Sequence, residues 1–224
     1  MSDSITEELY QQIDHLQCQL EQQKKITAAL MQRVKRNLKF QLNTNETFEH
    51  NSLLLEQIKN SKINLLQEAK ATQRYTYLAR HDSLTGLYNR QEFKVNLKQC
   101  TLIAKQNNSS FALFLLDLDQ FKVINDTAGH LAGDEMIKQL STILLNALEP
   151  NETLARLGGD EFGLLKQGCD DATALQKAQE LLSRINKFHF SWDDKLFSVT
   201  ASIGVVLIDE DTENHIEAYK NVDI

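Results

Sequence analysis

Helix breakers are scarce. The chain has one proline, Pro150, and eight glycines, none before Gly86. An opening stretch of 85 residues without either, rich in Gln, Glu, Lys and Leu, is expected to be helical. Cysteine is also sparse. Cys18, Cys100 and Cys169 lie too far apart for a paired metal site and point to a reducing compartment, so the expected location is cytoplasmic. No apolar run approaches the ~20 residues of a membrane span, and the polar N-terminus does not read as a signal peptide. Basic charge is not in surplus. The net charge is −7, with 11 Lys/Arg and 9 Asp/Glu in residues 1–80 and 13 against 22 in residues 81–224. An acidic second part argues against general nucleic-acid binding, which needs a basic surface. It leaves open a nucleotide held through metal ions.

The first 80 residues read as a helical dimerisation region, with a packed helical cap on the following domain as the plain alternative. Leu9, Ile13, Leu16 and Leu20 are spaced 4, 3, 4, a heptad seam, and Ile26, Leu30, Val34 and Leu38 extend an apolar stripe. Asn43-Thr44-Asn45-Glu46-Thr47 interrupts the pattern. A second helix is expected over about 48–80, with Leu55, Ile58, Leu65, Ala69 and Thr72 on one side. Such helices have no core of their own, so the stripes must meet another helix, in a dimeric coiled coil or a hairpin. Arg33, Lys35, Arg36 and Lys39 read as a solvated face.

Residues 81–224 are expected to form one compact domain. The pattern predicts a helix from Arg90 with Phe93, Leu97, Cys100 and Ala104 inward, ended by Asn107-Asn108-Ser109. Phe111–Leu116 is a continuous apolar run of strand length, hence a central strand covered on both faces, and it ends in Asp117-Leu118-Asp119. A polar, turn-rich stretch follows to His130. Next come a helix over about 132–148, a hairpin at Thr153–Leu165 and a helix over about 171–187 with Leu175, Ala178, Leu182 and Ile185 inward. A long strand, Leu196–Ile208, and a short helix near Glu213 close the chain. This order predicts an α+β fold, an antiparallel-rich sheet with covering helices in the ferredoxin-like or palm style.

The hairpin carries Gly158-Gly159-Asp160-Glu161 at its tip. The glycines suit a turn that needs φ > 0. Adjacent carboxylates repel unless a cation compensates, although a solvated acidic turn is the plain alternative. In the predicted sheet, the end of the Asp117 strand can lie beside that tip. Three oxygen donors with a lysine and turn amides nearby suit Mg²⁺-assisted phosphoryl or nucleotidyl transfer. No Walker motif, HExxH or Ser/His/Asp set competes.

The stretches DSLTGLYNR (82–90), FLLDLDQFKVINDTAGHLAGDE (114–135), ARLGGDEFGLL (155–165) and SVTASIGV (198–205) together strongly resemble the GGDEF domain of bacterial diguanylate cyclases. The resemblance implies a nucleotidyl-cyclase, palm-like fold. It also implies metal binding by Asp117, the Leu118 carbonyl, Asp160 and Glu161, with Asp160 or Glu161 helping to deprotonate the attacking hydroxyl. Phe121 and Lys122 would line the triphosphate region, Asn125 and Asp134 would bind the guanine edge, and Gly158 and Gly159 would leave room for GTP. The implied reaction joins two GTP into cyclic di-GMP with Mg²⁺ or Mn²⁺ across a homodimer. Where family members carry an inhibitory Arg-x-x-Asp, this chain has Glu149 and Glu152, so no inhibitory site is expected and cyclic di-GMP should be repelled there. The family continues with a phosphate-contacting lysine and arginine beyond the position of Asn221-Val222-Asp223-Ile224, so a truncated and weak or inactive cyclase is expected. His189-Phe190-Ser191-Trp192 resembles GGDEF domains in tandem with an EAL phosphodiesterase domain, some of which only sense GTP.

Overall fold

The computed structural model describes residues 2–40, 45–220 and 222, with side chains at 10–37 and from 50 onward. The chain divides into two units, Met1–Ala79 and Arg80–Ile224.

In the first unit α1 spans Ser2–Phe40 and α2 spans Asn45–Arg80, the last residue of α2 falling in the second unit. Of the expected interruption, Asn43 and Thr44 lie outside the described residues, and α2 starts at Asn45 rather than near 48. The shielded positions of α1 run Ile13, Leu16, Leu20, Gln23, Thr27, Leu30, Val34 and Asn37, alternating three and four residues. Those of α2 include Asn51, Leu54, Ile58, Ser61, Leu65, Glu68, Thr72 and Tyr75 in the same rhythm, with Ala69, Ala71, Thr76 and Ala79 also shielded. Gln19, Gln22, Gln23 and Ile26 of α1 line one groove with Glu68 of α2, so the two seams form a helical hairpin. Two expected positions shift by one residue: Ile26 (46 % exposed) and Leu55 (58 %) face outward, while Thr27 and Leu54 are buried. The side chains of Leu9, Leu38 and Lys39 lie outside the described residues. The seam is imperfect, with Thr27 Oγ1, Asn51 Oδ1 and Glu68 Oε2 buried without a hydrogen-bond partner.

In the second unit α3 (Arg90–Asn107) starts at an Asn89 cap, whose side chain accepts from the Glu92 N–H, and ends at Asn108 in the left-handed region. Strand β1 (Phe111–Asp119) lies inside a four-stranded antiparallel sheet of order β2-β3-β1-β6, with β2 at Glu152–Gly158, β3 at Glu161–Gln167 and β6 at Thr200–Ile208. This is the expected α+β, ferredoxin-like strand order. Successive β1 side chains point to opposite faces. Phe114, Leu116 and Leu118 join the core with Met136, Ile137 and Leu140 of α5 (His130–Leu145) and Leu181 and Ile185 of α6 (Asp171–Asn186). Phe111, Leu113 and Leu115 join Phe93, Leu97 and Ala104 of α3 and Ala218 of α7 (His215–Lys220).

Four local expectations are corrected. The polar stretch after β1 contains a helix, α4 (Phe121–Ala128), bounded by Gln120 at φ 58° and Gly129 at φ 85°. The long terminal strand is two strands: β5 (Lys195–Ser198) pairs with β4 (His189–Trp192) in a separate hairpin, and Val199 marks the break before β6. That hairpin turns through Asp193 and Asp194, both with positive φ, as a two-residue turn of the primed class requires. The buried face of α6 is Ala174, Lys177, Ala178, Leu181 and Ile185, while Leu175 is 60 % exposed and Leu182 only half-buried. The helix expected over 132–148 begins two residues earlier and stops at Leu145.

Gly163 in β3 carries the packing of α3. A Cβ there would stand 2.5–2.9 Å from three ring carbons of Phe93, which is fully buried. Gly163→Ala is expected to cost about 1–3 kcal/mol through this overpacking. A urea titration should show a lower midpoint at unchanged slope; an unmoved midpoint would mean that the Phe93 ring can yield.

Candidate functional site

The β2–β3 hairpin places the acidic tip at one end of the sheet. Its turn needs glycine, with φ 142° at Gly158 and 54° at Gly159, and the β2–β3 pairing shifts register between Arg156 and Gly158. Two arginines brace it. Arg156 donates through Nε and Nη2 to the Gly159 carbonyl (3.0 and 2.8 Å) and through Nη1 to Asp82 Oδ1 (3.1 Å). Asp82 also accepts from the Thr85 N–H and hydroxyl, so the loop before α3 is tied to the tip. Arg90 donates through Nε to the Leu157 carbonyl and through Nη2 to Glu161 Oε2, both at 2.6 Å. Sequence reasoning reads Asp82 or Ser83 as a turn or cap residue, which the Asp82 bonds to Thr85 bear out, but it gives no role at the tip to Arg90, Asp82 or Arg156. The signal was that each falls inside a stretch quoted for the resemblance.

Pairing between β1 and β3 sets Asp117 directly opposite Glu161, and β6 sets Ser202 on its other side. Asp117 therefore shares one end of the sheet with the acidic tip. Its carboxyl is pushed above the ordinary aspartate range, first by burial, then by the charges of Asp160, Glu161 and Asp119. Glu161 is turned to Arg90, and among the described residues no three His, Cys, Asp or Glu side chains are gathered closely enough to hold a metal ion. The expected carboxylate trio is brought to one end of the sheet but not into a closed ligand shell. The donor chemistry still fits a hard divalent cation: oxygen donors, mutual repulsion, and a Glu161 carboxylate whose ion pair with Arg90 is half-exposed on both sides.

Asp119 differs from Asp117 in being satisfied by the protein, accepting from Thr200 Oγ1 (2.7 Å) and Ser202 Oγ (3.0 Å). It anchors the turn into α4. Beside that turn a cavity of about 330 Å³ is lined by Asp119, Gln120, Val123, Ile124, Phe197, Ser198 and Thr200. Phe121 and Lys122 open α4, Phe121 half-buried and Lys122 exposed. Asn125 lies one turn further on, and Asp134 is exposed on α5. Leu118 has its side chain in the core and pairs with Ala201 of β6.

Glu149 and Glu152 are not free negative charges. Lys166 Nζ bonds Glu149 Oε2 (2.6 Å) and Glu152 Oε1 (2.9 Å), and Lys177 Nζ bonds Glu152 Oε2 (2.8 Å) and the Ala147 carbonyl (2.9 Å). The position expected to repel an anion is an internally neutralised ion network.

No described helix is long and apolar enough to cross a membrane. Residues 79–224 match the family model "Diguanylate cyclase, GGDEF domain". The probable diguanylate cyclase DgcE of Escherichia coli K12 is 38 % identical over 158 residues, covering 70 % of this chain and 14 % of that protein. The cyclic di-GMP phosphodiesterase NbdA of Pseudomonas aeruginosa is 37 % identical over 166 residues, covering 72 % of this chain and 20 % of that protein. The chain thus spans about a seventh to a fifth of the length of these relatives. The coiled coil and GGDEF domain of DgcB from Caulobacter crescentus, solved in complex with c-di-GMP, has the same fold at TM-score 0.71 and 22 % identity, covering 76 % of this chain and 90 % of that one. Through residues 79–224, the chain belongs to the GGDEF diguanylate cyclase family.

Proposed function

We propose that the GGDEF domain binds GTP with Mg²⁺ or Mn²⁺ and, as a homodimer, joins two GTP into cyclic di-GMP and two pyrophosphates. The observation that carries this reading is the register that sets Asp117 opposite Glu161 beside the braced Gly-Gly-Asp-Glu tip. The bound metal would supply charge neutralisation at the phosphates and activate the attacking hydroxyl. Asp117, the Leu118 carbonyl, Asp160 and Glu161 would hold it, with Glu161 exchanging Arg90 for the ion. A tip carboxylate takes the proton of the 3′-hydroxyl as its oxygen attacks the other nucleotide's α-phosphate and pyrophosphate departs. Lys122 neutralises phosphate charge, Phe121 lines the same region, Gly158 and Gly159 leave backbone open to the nucleotide, and Asn125 with Asp134 reads the guanine edge through amide and carboxylate. One domain supplies half of the reacting pair, so two copies must face each other. The helices of the first unit supply that pairing by raising the effective concentration of the second domain. The compartment is the cytoplasm, where GTP is available.

A second reading is a GTP-binding regulatory module that controls an adjacent EAL-type domain. It is favoured by the similarity to a cyclic di-GMP phosphodiesterase of which the chain spans a fifth, and by Glu161 being held by Arg90. Incubation of the protein with GTP and Mg²⁺ or Mn²⁺, followed by mass spectrometry of the nucleotides and calorimetric measurement of GTP binding, separates the two. Cyclic di-GMP is expected; saturable GTP binding without product would establish the regulatory reading instead, and neither binding nor product would defeat both.

A further inference from the structure

Among the described residues, none hydrogen-bonds to the side-chain amide of Asn125, and the amide is not cut off from solvent. It is placed by packing alone. The packing partner is Gly133, on the first turn of α5: a Cβ at Gly133 would overlap Asn125 Oδ1, stand 3.0 Å from Asn125 Cγ and 3.1 Å from Phe121 Cζ. The end of the Asn125 side chain therefore lies directly on bare α5 backbone. The helix pair is built for this contact. Gly129 turns the chain between α4 and α5 with φ 85°, and its carbonyl accepts from the Ala132 and Gly133 N–H groups, which fixes the first turn of α5 beneath α4. Gly133 is buried and its neighbour Asp134 is exposed, so the seat and the second base-reading group are consecutive residues of one turn.

We propose that Gly133 is the specificity-positioning residue of the nucleotide site. By lacking a side chain it seats the Asn125 amide beside the Asp134 carboxylate, so that the pair selects guanine over adenine. The proposal rests on the guanine reading of Asn125 and Asp134. Glycine is otherwise a poorer helix former than alanine. The atom that a Cβ would strike is the end of a short side chain, which can swing aside at small cost. Stability should therefore change little, while the amide leaves its place.

The test measures calorimetric affinity for non-hydrolysable GTP and ATP analogues with Mg²⁺ on the whole protein. Asn125→Ala and Gly133→Ala should each weaken the GTP analogue about tenfold, the scale of one well-made hydrogen bond, and leave the ATP analogue unchanged. The double variant should be no weaker than either single one, because both remove the same interaction. Loss of GTP preference in Asn125→Ala but not in Gly133→Ala overturns the seat. Equal loss of both analogues in Gly133→Ala means a general packing role and also overturns it. No effect of Asn125→Ala on the GTP analogue overturns the guanine reading on which the seat depends. If Gly133→Ala does not fold, the double variant, which lacks the overlapping atom, should; its failure to fold would reduce Gly133 to a packing residue of the helix pair.

Discussion

Asparagine in place of Asp117 is expected to make the metal-free protein more resistant to heat while abolishing its response to divalent metal and product formation. Asp117 sits opposite Glu161, and burial together with the charges of Asp160, Glu161 and Asp119 disfavours its ionised form. An amide of the same shape removes one of the repelling charges without opening a cavity. In the wild type, Mg²⁺ or Mn²⁺ should raise the thermal midpoint, since a ligand that binds the folded state alone stabilises it. That rise should be lost or much reduced in Asp117→Asn. A metal acting on a phosphoryl oxygen contributes several kcal/mol to the transition state, so product formation should fall by about three orders of magnitude. Differential scanning fluorimetry with and without metal reads the first two effects, and nucleotide mass spectrometry the third. A variant less stable than the wild type without metal, or equally stabilised by metal, would show that Asp117 serves the sheet rather than an ion.

Where sequence reading succeeded, one physical signal dominated. The run Phe111–Leu116 is apolar on both faces because helices cover both faces of β1, and Gly158-Gly159 stands between two short apolar runs because the turn demands positive φ. Where it failed, two signals competed. The inward face of α6 includes Lys177, so a search for apolar spacing moved one residue along to Leu175 and Leu182. The strand after Leu196 reads as continuous because Phe197, Val199 and Ala201 keep the inward alternation across the break, and only pairing with β4 reveals it. Helix α4 has eight residues, of which only Ile124 is buried, so no period could show it. In α2, Leu53, Leu54 and Leu55 offer three registers, and only packing against α1 selects Leu54. For the candidate site, the carboxylates and the pair Asn125 and Asp134 were legible as motif. The arginines that brace the tip were not, because their partners are backbone carbonyls and acids about 70 residues distant.

Glu152→Ala should produce the largest loss of stability of any single change outside the apolar core. The side chain of Glu152 is fully shielded and holds Lys166, 7 % exposed, and Lys177, 3 % exposed, one on each oxygen. Truncation leaves one buried ammonium dependent on Glu149 and the other on Glu180 and the Ala147 carbonyl, both carboxylates being at least partly exposed. Removing one member of a buried ion group costs about 3–5 kcal/mol, against a total of about 5–15 kcal/mol for a domain. Much of that cost belongs to the stranded charges rather than to the lost attraction. Replacing the group together, Glu152→Leu with Lys166→Met and Lys177→Met, should therefore restore most of the loss. Acidification should act through Glu149. A hydrogen bond from Lys166, then its charge, holds the Glu149 carboxyl below the ordinary glutamate range. Its contribution is present above that range and disappears as pH falls through the lowered value. Burial by itself would lower the Lys166 ammonium, but hydrogen bonds and charge from Glu149 and Glu152 outweigh it and hold the group above the ordinary lysine range, so this contribution is lost only in alkali. Urea titrations of the three proteins at neutral pH distinguish the alternatives. A small effect of Glu152→Ala would mean that water reaches the lysines, and a triple variant no better than the single one would mean that the charged group, rather than its volume, aligns β2, β3 and α6.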